Sequence, residues 1–245
     1  MTTAALSKPK CISADDRAYP EKLRSIFGRL LPPDLWFMGN FDILDSKGVG
    51  FCGSRNASDA GLAIAADCAG QLSERNLAVI SGYARGVDMA SHEAALSSGG
   101  TTIIVLPEGI DHFRIKKTVR DIWDWSRVVV ISCFPRNAVW RADGALERNK
   151  AVVGLSDAVI VLEARDRSGT LNAGFRALEL HKPLFVVSFE NVADGREGNQ
   201  RLIERGGIPL QRDRTTGKAN LRKIFALVDA ENGPLPNEAA SAPNL

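Results

Sequence analysis

Residues 49–106 read VGFCGSRNASDAGLAIAADCAGQLSERNLAVISGYARGVDMASHEAALSSGGTTIIVL, and this stretch sets the fold class. Val49 to Gly53 is a short apolar run that ends in glycine. Ser58 can cap a helix that reaches about Arg75, with Leu62, Ala65, Ala66, Ala69 and Leu72 on one face. Leu77 to Ile80 is a second strand, ending at Ser81-Gly82. Val87 to Ser97 is helical, and Gly99-Gly100 stops it. Thr101 to Leu106 is a third strand. The strands are almost continuously apolar instead of alternating, which is the pattern of parallel strands covered on both faces.

The alternation continues downstream. A helix is expected near Ile115 to Trp125, then a strand at Arg127 to Ser132. Asp143 is the expected cap of a helix running through Leu155. Ala158 to Glu163 is a strand, Thr170 to His181 a helix and Leu184 to Ser188 a further strand. Six such units predict an α/β, Rossmann-like, doubly wound, mostly parallel sheet with helices on both faces. Around this core (35–212), residues 1–18 read as a flexible arm, 19–34 as a lead-in, 213–229 as a C-terminal helix and 230–245 as a disordered tail rich in Pro, Ala and Asn.

Composition narrows the function classes. The chain has 245 residues, with 31 Lys and Arg against 29 Asp and Glu, so it is not a polybasic protein. A local basic face remains compatible with that balance. The four cysteines, Cys11, Cys52, Cys68 and Cys133, form no CxxC pair, which argues against a disulfide scaffold or zinc ribbon and for a reducing cytoplasm. No apolar run approaches the roughly 18 residues of a membrane span, and no signal-peptide core precedes Lys8-Pro9-Lys10. His112 and His181 lack neighbours at metal-ligand spacing, so neither a metal nor a cofactor is expected.

Right-handed crossovers place every strand C-terminus on one edge of such a sheet, where ligands bind. Here that edge carries Gly53-Ser54-Arg55, the run SGYARGVD from Ser81 to Asp88, and Glu163-Ala-Arg-Asp-Arg-Ser168-Gly169-Thr170. Glycine admits a close ligand, the following helix N-terminus offers N–H groups, the hydroxyl adds a donor and arginine adds a forked cation that fits phosphate. A tight turn explains any one of these; three on one edge point to a polyphosphate, a nucleotide or a nucleic-acid backbone. Neither GxGxxG nor the P-loop lysine motif is present, which disfavours an NAD dehydrogenase or a P-loop ATPase. His92 follows Asp88 by one helical turn, and the pair can hydrogen-bond to orient the SGYARGVD turn. Residues 196–223 hold eight Lys or Arg against three Asp or Glu, a basic excess with no assigned role.

These residues carry a family resemblance. VGFCGSR, SGYARGVDMASHEAALSSGGTTIIVL and EGID, followed by ERNKAVVGLSDAVIVLEARDRSGTLNAGFRALE and GNQRLIERGG, resemble the core of the DprA/Smf DNA-processing proteins in the same order. Tyr19-Pro20, Leu23 and the stretch from Pro32 to Asn40 are similar to that family's lead-in. The resemblance implies a Rossmann-like core that binds single-stranded DNA without sequence preference, acts in natural transformation and recombination, helps load a RecA-type recombinase and is not an enzyme. By position it assigns DNA-phosphate contacts to Ser54, Arg55, Ser81, Gly82, Arg85, Gly86, Arg148, Asn149, Lys150, Ser168, Gly169 and Thr170. Gly53, Asp88, His92 and Gly100 match as supports of the pocket. A homodimer is also implied, through the C-terminal half of the core, where Gly174 to Leu180 and Leu202 to Ile208 offer apolar positions.

The chain departs from the family pattern in places. The usual Tyr-Pro after Gly-Ile-Asp is Phe113-Arg114, the acidic residue after the fourth strand is Cys133, and the aromatic-Pro before the Arg-Asn block is Ala145-Leu146. Lys150 replaces that block's second arginine, and Ser188-Phe189 replaces a Pro-Gly. Trp140 is then the candidate for base stacking, while Phe134 is expected to pack inside. These departures, and the lack of the helical and winged-helix domains that family members often carry, suggest a divergent stand-alone core. The rival reading is a LOG-like nucleotide phosphoribohydrolase or nucleotide-sensing domain. That superfamily resemblance asks for Pro-Gly-Gly-x-Gly-Thr and a catalytic Glu; this turn lacks the Pro-Gly-Gly, and Glu179 lies too far along its helix.

Overall fold

The structure is a computed structural model that describes residues 7–27, 33–189 and 196–230. Nine strands form one sheet: β1 (Lys10–Ile12), β2 (Leu35–Gly39), β3 (Gly48–Gly53), β4 (Ala78–Ser81), β5 (Thr102–Val105), β6 (Val128–Ser132), β7 (Ala158–Leu162), β8 (Leu184–Val187) and β9 (Ile208–Leu210). The order is β1-β2-β6-β5-β4-β3-β7-β8-β9. Strands β6 through β9 in that order are parallel, and β2 and β1 add antiparallel at one edge. The expected α/β, mostly parallel, Rossmann-like sheet is therefore present. The direction of winding reverses between β3 and β7, so the crevice beyond their C-terminal ends is the topological switch point.

The helices are α1 (Glu21–Phe27), α2 (Asp59–Ser73), α3 (Val87–Ser97), α4 (Ala142–Leu155), α5 (Gly169–Glu179), α6 (Glu197–Glu204) and α7 (Arg222–Ala230). Alternate residues of each central strand feed opposite faces. Val159 and Val161 pack with Leu23, Ala151, Val153, Ala173 and Leu202 from α1, α4, α5 and α6. Ile160 and Leu162 pack with Ala65, Leu72, Ala95 and Ile224 from α2, α3 and α7. Both faces are apolar because both are covered, which is why the strands read as unbroken apolar runs.

The structure differs from the sequence reading in several elements. Residues 10–12, expected in a loose arm, pair with β2 in register Lys10 to Phe37. The lead-in packs into the core: Tyr19 is buried and donates its hydroxyl to Pro33 O at 3.0 Å, and Lys22 pairs with Asp157 at 2.8 Å. Between β5 and β6 the expected helix is a short 3-10 turn, Lys117–Ile122, packed by Val119 and by Trp123 just beyond it. The N-cap of α4 is Arg141, not Asp143; Asp143 lies in the first turn and pairs with Arg141 at 3.0 Å. After β9 the chain makes an Arg212–Ala219 bridge before α7 begins at Arg222. The tail expected beyond α7 lies outside the described residues. Among the described residues, no helix is long and apolar enough to cross a membrane.

Candidate nucleic-acid interface

A groove of about 770 Å³ lies across the C-terminal ends of β3 and β7, at the switch point. The β3–α2 turn supplies Ser54, Arg55 and Asn56, and α4 supplies Arg148 and Asn149. The β7–α5 turn supplies Arg165, Arg167, Ser168, Gly169 and Thr170. Trp140, from the loop before α4, forms part of the wall and is 49% exposed. The Arg55 guanidinium lies 5.9 Å from its ring centroid. Arg55, Arg165 and Arg167 are exposed, whereas Arg148 is 8% exposed at the floor.

The three helix N-termini behind these turns are not equivalent. At α2, Ser58 Oγ accepts from Gly61 N, while the Glu163 carboxylate accepts from Ser58 N at 2.8 Å and Ser58 Oγ at 2.5 Å. Arg196 adds a 2.8 Å ion pair to Glu163. Burial works against ionisation of Glu163, but the Ser58 and Arg196 contacts outweigh it and hold the carboxyl below its ordinary range. At α3, Asp88 Oδ2 accepts from Ala84 N at 3.2 Å. Two of the three expected anion sites are therefore already served by internal carboxylates. At α5, Ser168 Oγ accepts from Leu171 N at 3.1 Å and donates to Arg165 O at 2.7 Å. Gly169 and Thr170 beside it line the groove, so this terminus presents its positive end to the groove.

The SGYARGVD turn builds the floor more than it lines it. Ser81 is fully buried and donates to Phe51 O at 2.8 Å. A Cβ at Gly82 would collide with the Arg148 guanidinium, so the glycine makes the space in which Arg148 lies. Gly86 caps α3 with φ +82, packed against the Ser54 and Arg55 carbonyls, where a side chain would find neither conformation nor room. Gly53 packs equally closely on Val87. Arg148 stands 3.8 Å from Asp88, and its buried Nε has no hydrogen-bond partner. Burial pushes the Asp88 carboxyl up, opposed by Arg148 and the Ala84 N–H.

His92 does not bond Asp88. Its Nδ1 lies 2.7 Å from Thr102 Oγ1 and its Nε2 lies 3.4 Å from Gly82 O, so it ties the turn to β5. Complete burial drives the imidazole pKa down to about 3, which keeps it neutral. Gly100 is not at the groove: it precedes β5, on the opposite edge of the sheet, and packs against Ser73 of α2. Lys150 faces away as well, pairing with Glu147 at 2.6 Å beside a small cavity that Cys133 and the half-buried Phe134 also line. Asn149 stays in the groove, its Nδ2 donating to Gly169 O at 3.3 Å.

A second compartment of about 510 Å³ adjoins the first and shares Arg55, Ala84, Trp140 and Arg148 with it. Arg85 lines this compartment, with Tyr83, Arg114 and Lys116. In the sequence, Arg165 and Arg167 stand out in their turn and Arg114 stands out only as a departure from the family pattern, none with an assigned role, and Lys116 does not stand out at all. The first pair had a signal, the repeated arginine before Ser-Gly-Thr. Lys116 had none, because its segment read as a helix. Among the described residues, no group of three or more His, Cys, Asp and Glu is placed to hold a metal.

Comparison with known proteins agrees with this fold. DNA processing protein DprA of Streptococcus pneumoniae is 34% identical over 194 residues, covering 78% of this chain and 67% of that protein. A crystal structure of DprA from the same species superposes with a TM-score of 0.73 at 32% identity, covering 83% of this chain and 71% of that one. DNA processing protein A of Helicobacter pylori, described for its single-stranded DNA binding mode, superposes with a TM-score of 0.72 at 22% identity over 92% and 97% of the two chains, a likeness of fold. The chain spans about half to two thirds of the length of the curated relatives it matches. The sequence profile of DNA recombination-mediator protein A matches residues 10–216, and the chain therefore belongs to this family of DNA-processing proteins.

Proposed function

We propose that the groove binds single-stranded DNA through its phosphates, without sequence preference. The observation that carries this reading is the union of Arg55, Arg148, Arg165 and Arg167 with the α5 N-terminus in one open groove. Its two lining carboxylates, Asp88 and Glu163, are held by Arg148 and Arg196. Arg85 extends the positive edge beyond it, and Trp140 offers a ring to a base. Ser81, Gly82, Gly86, Asp88 and His92 act by placing Arg148 and the turns. The likeness to DNA-processing proteins supports a role in DNA processing, and within that role we assign the chain to recombination and natural transformation. Delivery of the bound strand to a RecA-type recombinase, and assembly as a homodimer through α5 and α6, complete the proposal.

The test is a fluorescence-anisotropy titration with oligothymidine at several salt concentrations. Log affinity should fall with log salt by roughly 0.7 per phosphate contact. Arg55→Ala and Arg167→Ala should each flatten that slope by about one contact and weaken every sequence alike. Trp140→Ala should cost affinity, about 1–3 kcal/mol per stacked base, with little change in slope. If the oligonucleotide does not bind at low salt while a nucleoside monophosphate is hydrolysed to free base, the hydrolase reading replaces this one.

A further inference from the structure

The second compartment repeats the chemistry of the groove. Its floor and walls are Tyr83, Leu106, Pro107 and Phe113. Around them stand Arg85, Arg114 and Lys116, with Glu108 as a carboxylate and His112 at the margin. Arg114 is exposed, and its Nη1 donates to the carbonyls of Asp111 at 2.8 Å and Phe113 at 2.6 Å. Those neutral acceptors fix the guanidinium in place without cancelling its charge. Lys116 is half-buried over the Tyr83 ring, 4.4 Å from its centroid, and its ammonium donates to the Tyr83 carbonyl. The backbone N–H of Lys116 donates to the Tyr83 hydroxyl at 3.0 Å. The result is a rigid, cationic, partly aromatic recess that opens onto the groove at Trp140 and Arg55.

We infer that this recess is a second phosphate-binding compartment for the same DNA strand, entered past Trp140, in which Arg114 and Lys116 take a phosphate that the main groove does not reach. The inference rests on the single-strand reading of the groove. A strand crossing both compartments occupies more nucleotides and releases more counterion than one confined to the first. Length dependence of binding therefore separates the two cases.

The experiment measures affinity for oligothymidines of about four and about twelve nucleotides, lengths spanning the range of known single-strand sites. The unaltered chain should bind the longer one with the steeper salt dependence. Arg114→Ala should lower the ratio of long to short affinity on the order of tenfold, the effect of losing one charge-assisted contact, and flatten the long oligonucleotide's slope by about 0.7. Arg114→Lys should keep most of the slope, because it retains the charge, and so distinguishes loss of a phosphate contact from loosening of the loop. An equal loss for both lengths, or no loss for either, overturns the second compartment and leaves strand binding standing. Failure of the unaltered chain to bind either length overturns both.

Discussion

His92 shows how one buried side chain links the site to stability. An unfolded imidazole takes up a proton near pH 6.5, whereas the folded one resists down to about pH 3. Between these values the unfolded chain binds more protons. Stability therefore rises with pH across that window and falls as pH drops below about 6.5, by up to about 1.4 kcal/mol per unit. Lys116 and Arg148 add to the depression, while the Gly82 carbonyl opposes it. Asp88, with its carboxyl pushed up by burial, acts in the opposite sense above the ordinary carboxylate range. In guanidinium unfolding between about pH 4 and pH 6, His92→Gln should flatten the dependence relative to the unaltered chain. Parallel profiles would show that the imidazole is not the titrating group.

At the scale of an element, α5 combines two duties at one end. Ser168 caps the helix and ties down the Arg165 carbonyl, so the cap also holds the arginine-bearing turn. Ser168→Ala should cost about 1 kcal/mol of stability and weaken strand binding. Ser168→Asp should behave differently. Aspartate caps as well as serine, so stability should hold in denaturant titration. Its carboxylate, however, stands where a phosphate would lie, and binding should fall by at least about tenfold. If stability and binding move together in both variants, the α5 terminus is a structural cap and not an anion site. The contrast with α2 and α3 is physical: there Glu163 accepts from the Ser58 N–H and Asp88 already stands in the first turn, so acidic substitutions should have less binding to remove.

For the whole molecule, the consequential question is assembly. Phe175, Leu178, Leu180 and Ile203 on and beside α5 and α6 are only partly buried in the single chain. The sheet edge beyond β8 closes with the short strand β9. A homodimer through this face would cover those side chains and set two grooves on one particle. Light scattering at micromolar concentration should then give twice the mass of one chain, and Phe175→Glu should return it to one. A mass of one chain for the unaltered protein would reject the dimer without touching the groove, which is built within a single chain.

Each central strand was legible because its residues are apolar on both faces, and two covered faces leave no alternation to confuse with a helix. The Gly-Ser-Arg and Ser-Gly-Thr turns were legible for a related reason: a parallel sheet sends every such turn to one edge. Residues 10–12 and 35–39 were not, since an edge pairing is chosen by backbone groups of a partner far along the chain, which local pattern does not encode. The 3-10 turn at Lys117–Ile122 escaped notice because packing of Val119 and Trp123 overrides its helical spacing. Within the site, the sequence determined which residue types meet at the strand ends. Tertiary structure decided which of them face the groove. It buried Ser81 and Gly82 beneath Arg148, turned Lys150 to Glu147 and left Gly100 at the far edge. It also brought Arg114 and Lys116 beside Trp140. The physical reason is that strand period and turn chemistry are local, whereas facing and pairing depend on contacts between segments that only the folded chain brings together.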